Sequence, residues 1–156
     1  MKPKKQIKKK KLTHSQLEGK LWDTFSKYIR LKHSVVRDGT HFNRCITCDE
    51  IKKTNGGIQA GHYISRTVKS VKYDEQNVHS QCPSCNNPRI GAGRPTLYRI
   101  AIVAMYGENT ARRLDTALVR HRSGTTKKFS MHELQVMYDT YKEKFATLVA
   151  TKGNPW

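Results

Sequence analysis

"NVHSQCPSCNN", Asn77 to Asn87, runs a short strand-like pattern straight into a Cys-x-x-Cys turn and carries asparagines at both ends. A second such turn, "CITC" at Cys45–Cys48, lies upstream. Each spacing lets a tight turn aim two thiolates at one point, so the two together complete a closed four-sulfur tetrahedron. Such a site suits structural zinc. A redox reading competes, but no thioredoxin-like strand and helix surround either pair. All four cysteines of the chain are used, and in the reducing, intracellular compartment expected here thiolates hold metal rather than form disulfides.

Between Cys48 and Cys82 lie 33 residues, longer than the usual zinc-ribbon interval, so a sizeable segment is looped out of the clamp. It contains "QAGHYISR", Gln59–Arg66, with His62 at its centre. "TNGG" at Thr54–Gly57 marks a tight turn, and short strands are expected around Ile58–Ile64 and Asn77–Gln81. The zinc would fasten the ends of an insertion whose apolar content is too small to fold alone.

Helices flank this insertion. Leu17, Leu21, Phe25 and Tyr28, widened by Trp22 and Ile29, recur at helical spacing from an expected cap at Ser15 to about Lys32. After the breaker cluster "IGAGRP", the run "TLYRIAIVAMYG" reads as a buried helix stopped by Gly107, and Asn109 can cap another helix through Arg122. "SMHE", Ser130–Glu133, fits a capping box for a last helix that places Leu134, Met137, Tyr138, Tyr141, Phe145 and Leu148 on one face.

Charge narrows the partner. The net charge is +18 with 36% hydrophobic residues, and although seven lysines crowd the first eleven residues, most of the cationic side chains belong to the body. A polyanion is the natural partner, and with a basic body as well as a basic arm that partner is nucleic acid. No run of about 18 apolar residues exists to span a bilayer, so no membrane role is expected.

Taken together, "CITC", "AGHY", "NVHSQCPSCN" and "YRIAIVAMYG" resemble the phage NinG family, also called Rap in lambda-type phages, from near Leu21 to the last helix. The His, Asn and Cys order is similar to that of the HNH, or ββα-metal, endonucleases whose hairpin and helix are held by four cysteines. The resemblance implies a metal-dependent DNA endonuclease for branched recombination intermediates, of the Holliday-junction or D-loop type, working inside a bacterial host. His62 would activate water, or serve as a ligand instead; Asn77 would orient the His62 ring or brace the hairpin. Asn86 would give a side-chain oxygen to a catalytic magnesium or manganese, with His79 as a second ligand. Many HNH enzymes carry Asp or His just before the catalytic His, where this chain has Gly61; Asp74 or Glu75 can supply the carboxylate from the loop.

The expected architecture is α+β, a mainly helical small domain around a zinc-clamped ββα-metal core. Residues 1–14 form a basic disordered tail and 15–150 a single domain, divided into helix and linker (15–44), HNH-like core (45–95) and C-terminal helices (96–150), with a tail at 151–156. Arg66, Lys69, Lys72, Arg89 and Arg94 are the expected DNA contacts, tracking phosphates without reading sequence. A two-fold branched substrate would suit a homodimer, and a recombination protein is a further expected partner. The competing reading is a zinc-stabilised module that binds or anneals nucleic acid and hydrolyses nothing.

Overall fold

The first helix, α1 (His14–Lys32), has its cap two residues before the expected one. Thr13, not Ser15, closes a capping box with Gln16, satisfying N–H groups that a helix start would otherwise leave orphaned. The computed structural model describes residues 12–156, so the basic tail assigned to 1–14 lies largely outside the described residues, and Thr13 and His14 belong to the helix.

The expected linker after α1 holds two strands, β1 (Val35–Arg37) and β2 (Thr40–Arg44), which join β3 (Ile51–Lys53) of the expected core in a three-stranded antiparallel sheet. Asp38 and Gly39, at φ +48° and +70°, make the turn between β1 and β2, with Arg37 opposite Thr40. Two consecutive positive φ values match the twist of a two-residue hairpin, and Asp-Gly accepts them at low cost. The "CITC" turn joins β2 to β3. A further turn, α2 (Thr54–Gly57), departs from helical geometry at Asn55 and Gly56, in keeping with the tight turn expected of "TNGG".

The second sheet is the hairpin of β4 (Gln59–His62) and β5 (Val78–Gln81), both within the expected segments. Its register sets Gly61 opposite His79 and His62 opposite Val78. Side chains alternate along each strand, so His62 and His79 point to opposite faces. β5 feeds a single turn of helix, α3 (Pro83–Asn86), which carries Cys85 and Asn86.

Three C-terminal helices follow, α4 (Pro95–Tyr106), α5 (Glu108–Arg122) and α6 (Met131–Lys152). Gly107 ends α4 and directly precedes α5, so Asn109 sits inside the first turn of α5 rather than capping it. The Ser130–Glu133 capping box forms as its sequence requires, and α6 runs on into the stretch assigned as a tail.

Two apolar clusters hold these parts. Leu17, Leu21, Phe25 and Ile29 of α1 pack with Leu134 and Tyr141 of α6, and Tyr73 and Val78 reach the same cluster from the hairpin side. Ile64, Val68 and Val71 of the hairpin loop pack on Tyr98 and Ile102 of α4 and Ala111 and Leu114 of α5. The hairpin is therefore gripped between the two helical groups. Glu75 reinforces the first contact by binding Lys32 at 2.6 Å, Lys144 at 2.7 Å and the Tyr28 hydroxyl at 2.9 Å. No helix of the described residues is long and apolar enough to cross a membrane.

Candidate functional site

The ligand atoms of Cys45, Cys48, Cys82 and Cys85 all lie within 4.8 Å of one another, and the Cys48 and Cys82 sulfurs are 3.8 Å apart. Thiolates about 2.3 Å from a tetrahedral zinc would be spaced this way. The surroundings favour a sulfur anion at Cys45, where Cys82 N–H donates to Sγ at 3.3 Å and the Thr47 hydroxyl lies 3.4 Å away, whereas burial pushes the Cys48 and Cys82 thiols up. Burial opposes the Cys45 thiolate, but the Thr47 hydroxyl and neighbouring amides outweigh it and bring its pKa down to about 6. The four cysteines can thus hold a metal ion such as zinc. Ile46 N–H to the Ser80 carbonyl, 2.9 Å, ties the first cysteine turn to β5 beside it.

Gly91 closes the other side of this knuckle. A Cβ there would fall 2.4 Å from the Cys85 carbonyl oxygen and 2.6 Å from that of Ser84, so only glycine allows the chain to cross α3 so closely.

His62 lies at the end of β4 on a cleft of about 720 Å³, together with Trp22, Ser26, Arg30, Arg66 and Asn86. Its Nε2 sits 3.0 Å from the Lys72 carbonyl oxygen. A carbonyl only accepts, so Nε2 carries the proton and Nδ1 keeps the lone pair. The Trp22 ring stacks on the imidazole at 5.1 Å between centroids and 20° between planes. Burial, aided by the positive charges of Lys72 and Arg66, pushes the His62 pKa down to about 4 against the partial opposition of the Lys72 carbonyl. The ring is neutral at pH 7.

The Asn77 side chain makes its hydrogen bonds to Ile64 and Val71 and not to His62. Fully buried, it accepts Ile64 N–H at 2.7 Å and donates to the Ile64 and Val71 carbonyls at 2.9 Å each. It pins both ends of the hairpin loop, and with them the Lys72 carbonyl next in the chain to Val71. Asn86 does share the cleft with His62; its amide donates to Gln59 Oε1 at 2.8 Å, and its Oδ1 has no hydrogen-bond partner among the described residues.

The structure does not bring His79 to this place. Its ring lies on the opposite face, with Nδ1 3.2 Å from the Tyr98 hydroxyl and Nε2 2.9 Å from that of Tyr106, and burial drives its pKa down to about 3. Neither loop carboxylate reaches the cleft: Asp74 pairs with Arg113 at 2.7 Å, and Glu75 is taken by Lys32 and Lys144. Among the described residues no aspartate or glutamate lines the cleft. Gly61 has a packing reason, since a Cβ would meet Gln81 Oε1 at 2.2 Å and Gln81 Cβ at 2.9 Å.

The expected cationic contacts divide. Lys69 and Lys72 both bind Glu18 of α1, at 2.5 and 2.7 Å, and Lys72 is buried, whereas Arg66, Arg89 and Arg94 are exposed. Trp22, Ser26, Arg30 and Gln59 line the cleft but carry no signal that sets them apart in the sequence; Trp22 reads there only as part of an apolar stripe.

Comparison with known proteins adds the family. A family model described as Bacteriophage Lambda NinG protein matches residues 1–150. The protein ninG of Escherichia phage 933W is 27% identical over 117 residues, covering 74% of this chain and 53% of that protein. The proteins ninG of Escherichia phage lambda and Salmonella phage P22 are 26% and 27% identical over the same length, with 52% and 53% of their own chains covered. The chain thus spans about half the length of these curated relatives. No solved structure matches it. The chain belongs to the bacteriophage lambda NinG family.

Proposed function

We propose that the chain is an HNH-type DNA endonuclease that cuts branched recombination intermediates, with His62 as the base that activates water. The observation that carries this reading is the fixed tautomer of His62: Nε2–H donated to the Lys72 carbonyl, Nδ1 basic, on a residue lining a cleft with Asn86 and the exposed Arg66. Phosphodiester hydrolysis needs a base that is neutral at working pH and positive charge near the phosphate.

Asn86 Oδ1 is the side-chain oxygen suited to a magnesium or manganese ion, with water and DNA phosphate completing the shell. Such an ion, when bound, stabilises charge on the phosphate and the leaving oxygen. The protein's own part is to hold the His62 lone pair ready, exclude solvent with Trp22, and draw the backbone in with Arg66, Arg89 and Arg94. The choice of branched DNA rests on the family resemblance.

A second reading, a zinc-stabilised module that binds or anneals nucleic acid without cutting it, is favoured by the lack of a carboxylate among the described residues lining the cleft. One experiment separates the two. Purified protein and a His62→Ala variant are incubated with labelled four-way junctions, flaps and linear duplexes in magnesium or manganese. Cleavage of a branched substrate by the wild type, with a variant that binds but does not cut, supports the nuclease. Intact substrates under every condition would rule it out.

A further inference from the structure

The loop Asn87–Arg94 forms part of the cleft rim, with Pro88, Ala92 and Gly93 on its lining, and it is held unusually firmly for an exposed segment. The Asn87 carbonyl accepts the N–H groups of Ile90, Gly91 and Ala92 at 3.2, 3.0 and 2.8 Å, while the Asn87 side chain accepts Arg89 N–H at 2.8 Å. Gly93 N–H reaches the Cys85 carbonyl at 2.9 Å, bolting the loop to the cysteine knuckle. Ala92 and Arg94 are kept at φ +46° and +48°, a left-handed conformation that costs about 1 kcal/mol or more for each residue with a Cβ.

This backbone presents Ile90, 71% exposed and the most exposed large hydrophobic side chain among the described residues. A lone exposed isoleucine means little by itself. Ile90, however, stands between the exposed Arg89 and Arg94, neither of which has an ion-pair partner among the described residues. An exposed apolar side chain on the same hydrogen-bonded loop as two arginines without ion-pair partners among the described residues matches the chemistry of a stacked base step flanked by phosphates.

We infer that Ile90 is a wedge that enters the base stack of DNA at an opened or branched step, with Arg89 and Arg94 on the adjoining phosphates. This rests on the proposed DNA reading and goes beyond it. It makes shape selection the work of one side chain, because a step already unstacked at a branch costs less to open than one inside a continuous duplex.

The test uses the full chain and junction or duplex oligonucleotides carrying 2-aminopurine at successive positions, in calcium so that hydrolysis does not intervene. Binding is followed in parallel by anisotropy. Wild type should raise the fluorescence about threefold or more at one step beside the branch, reporting unstacking. Ile90→Ser should lose that rise while binding is kept, and Ile90→Leu should restore it; the residue is exposed, so neither change threatens folding. Equal enhancement by Ile90→Ser, or bound wild type with no enhancement anywhere, overturns the wedge. Unstacking without later cleavage in magnesium leaves the wedge standing and removes the nuclease, and failure to bind any DNA removes both.

Discussion

The indole of Trp22 lies against the imidazole of His62, 5.1 Å between ring centroids and 20° from parallel. One ring comes from α1 and the other from the end of β4, so the helix outside the hairpin shields the proposed base from water. Trp22→Ala should expose the imidazole and let its pKa climb from about 4 towards the usual 6.5. The change is read from the titration of the His62 ring by NMR. The acid limb of any cleavage profile should move up with it, and Trp22→Phe should restore both. An unchanged titration in the alanine variant would show that the stacking does not set the basicity.

The four-cysteine cluster should bind close to one zinc per chain, measured by metal analysis. Cys82→Ser, or strong chelation, should loosen the segment from Cys45 to Arg94, because β5, α3 and the rim loop are all tied to the knuckle. Hydrogen exchange would locate the loss. The α1–α6 contact has its own apolar core and should keep its protection.

Asn77→Ala removes three hydrogen bonds from a fully buried position and strands the Ile64 N–H, so a loss of about 2–4 kcal/mol is expected in denaturant unfolding. Asn77→Asp keeps the acceptor but turns a carboxylate oxygen towards the Ile64 and Val71 carbonyls. It should be the more damaging of the two, despite its closer shape.

Glu18 binds both Lys69 and Lys72, and those lysines hold its pKa down at about 2. Glu18→Gln should cost about 1–3 kcal/mol, because Lys72 is left charged and buried without its partner. It should also release Lys69 towards DNA and steepen the log-log salt dependence of binding by about 0.9. Stability and binding would then move in opposite directions, a split that loss of packing alone would not give.

Stability should fall on mild acidification. Burial lowers the pKa values of His33, His62 and His79 to about 4, 4 and 3, below the 6.5 of an unfolded chain. Below pH 6.5 the unfolded state therefore takes up protons first, so the full stability is present above that pH and is lost as pH falls through the folded-state values. Glu18 and Glu75, both held at about 2, add a second loss that begins near pH 4.5. Denaturant midpoints at constant zinc concentration, between pH 7 and 4, measure the slope.

The helices were legible because each carries its own signal: the Leu17–Phe25 stripe, the Ser130–Glu133 box, the stop at Gly107. The cysteine clamp and the hairpin strands were legible from spacing. The β1–β2–β3 sheet was less so, since β1 and β3 are three exposed residues each and their alternation carries no apolar signal. Asp38-Gly39 is nonetheless a hairpin dipeptide, which the linker reading of 15–44 leaves out. Of the residues singled out in the sequence, His62 and Asn86 line one cleft, and both stand where chemistry and chain order coincide. His79 shows the limit. Two residues from Asn77 it has the right parity, yet the strand register and two tyrosine hydroxyls from α4 place it elsewhere, and those tyrosines are distant in sequence. The pairing of Lys69 and Lys72 with Glu18 is hidden for the same reason, because Glu18 lies far off in the sequence on α1.

The packing of α1 against α6 also fixes an order of events during synthesis. Leu17 and Phe25 leave the ribosome well before Leu134 and Tyr141, which cover them. Until then Trp22 is carried on a helix without its partner, and the wall of the cleft that it forms has nothing to rest on. A growing chain can therefore bring its four cysteines together before it can shape the pocket around His62.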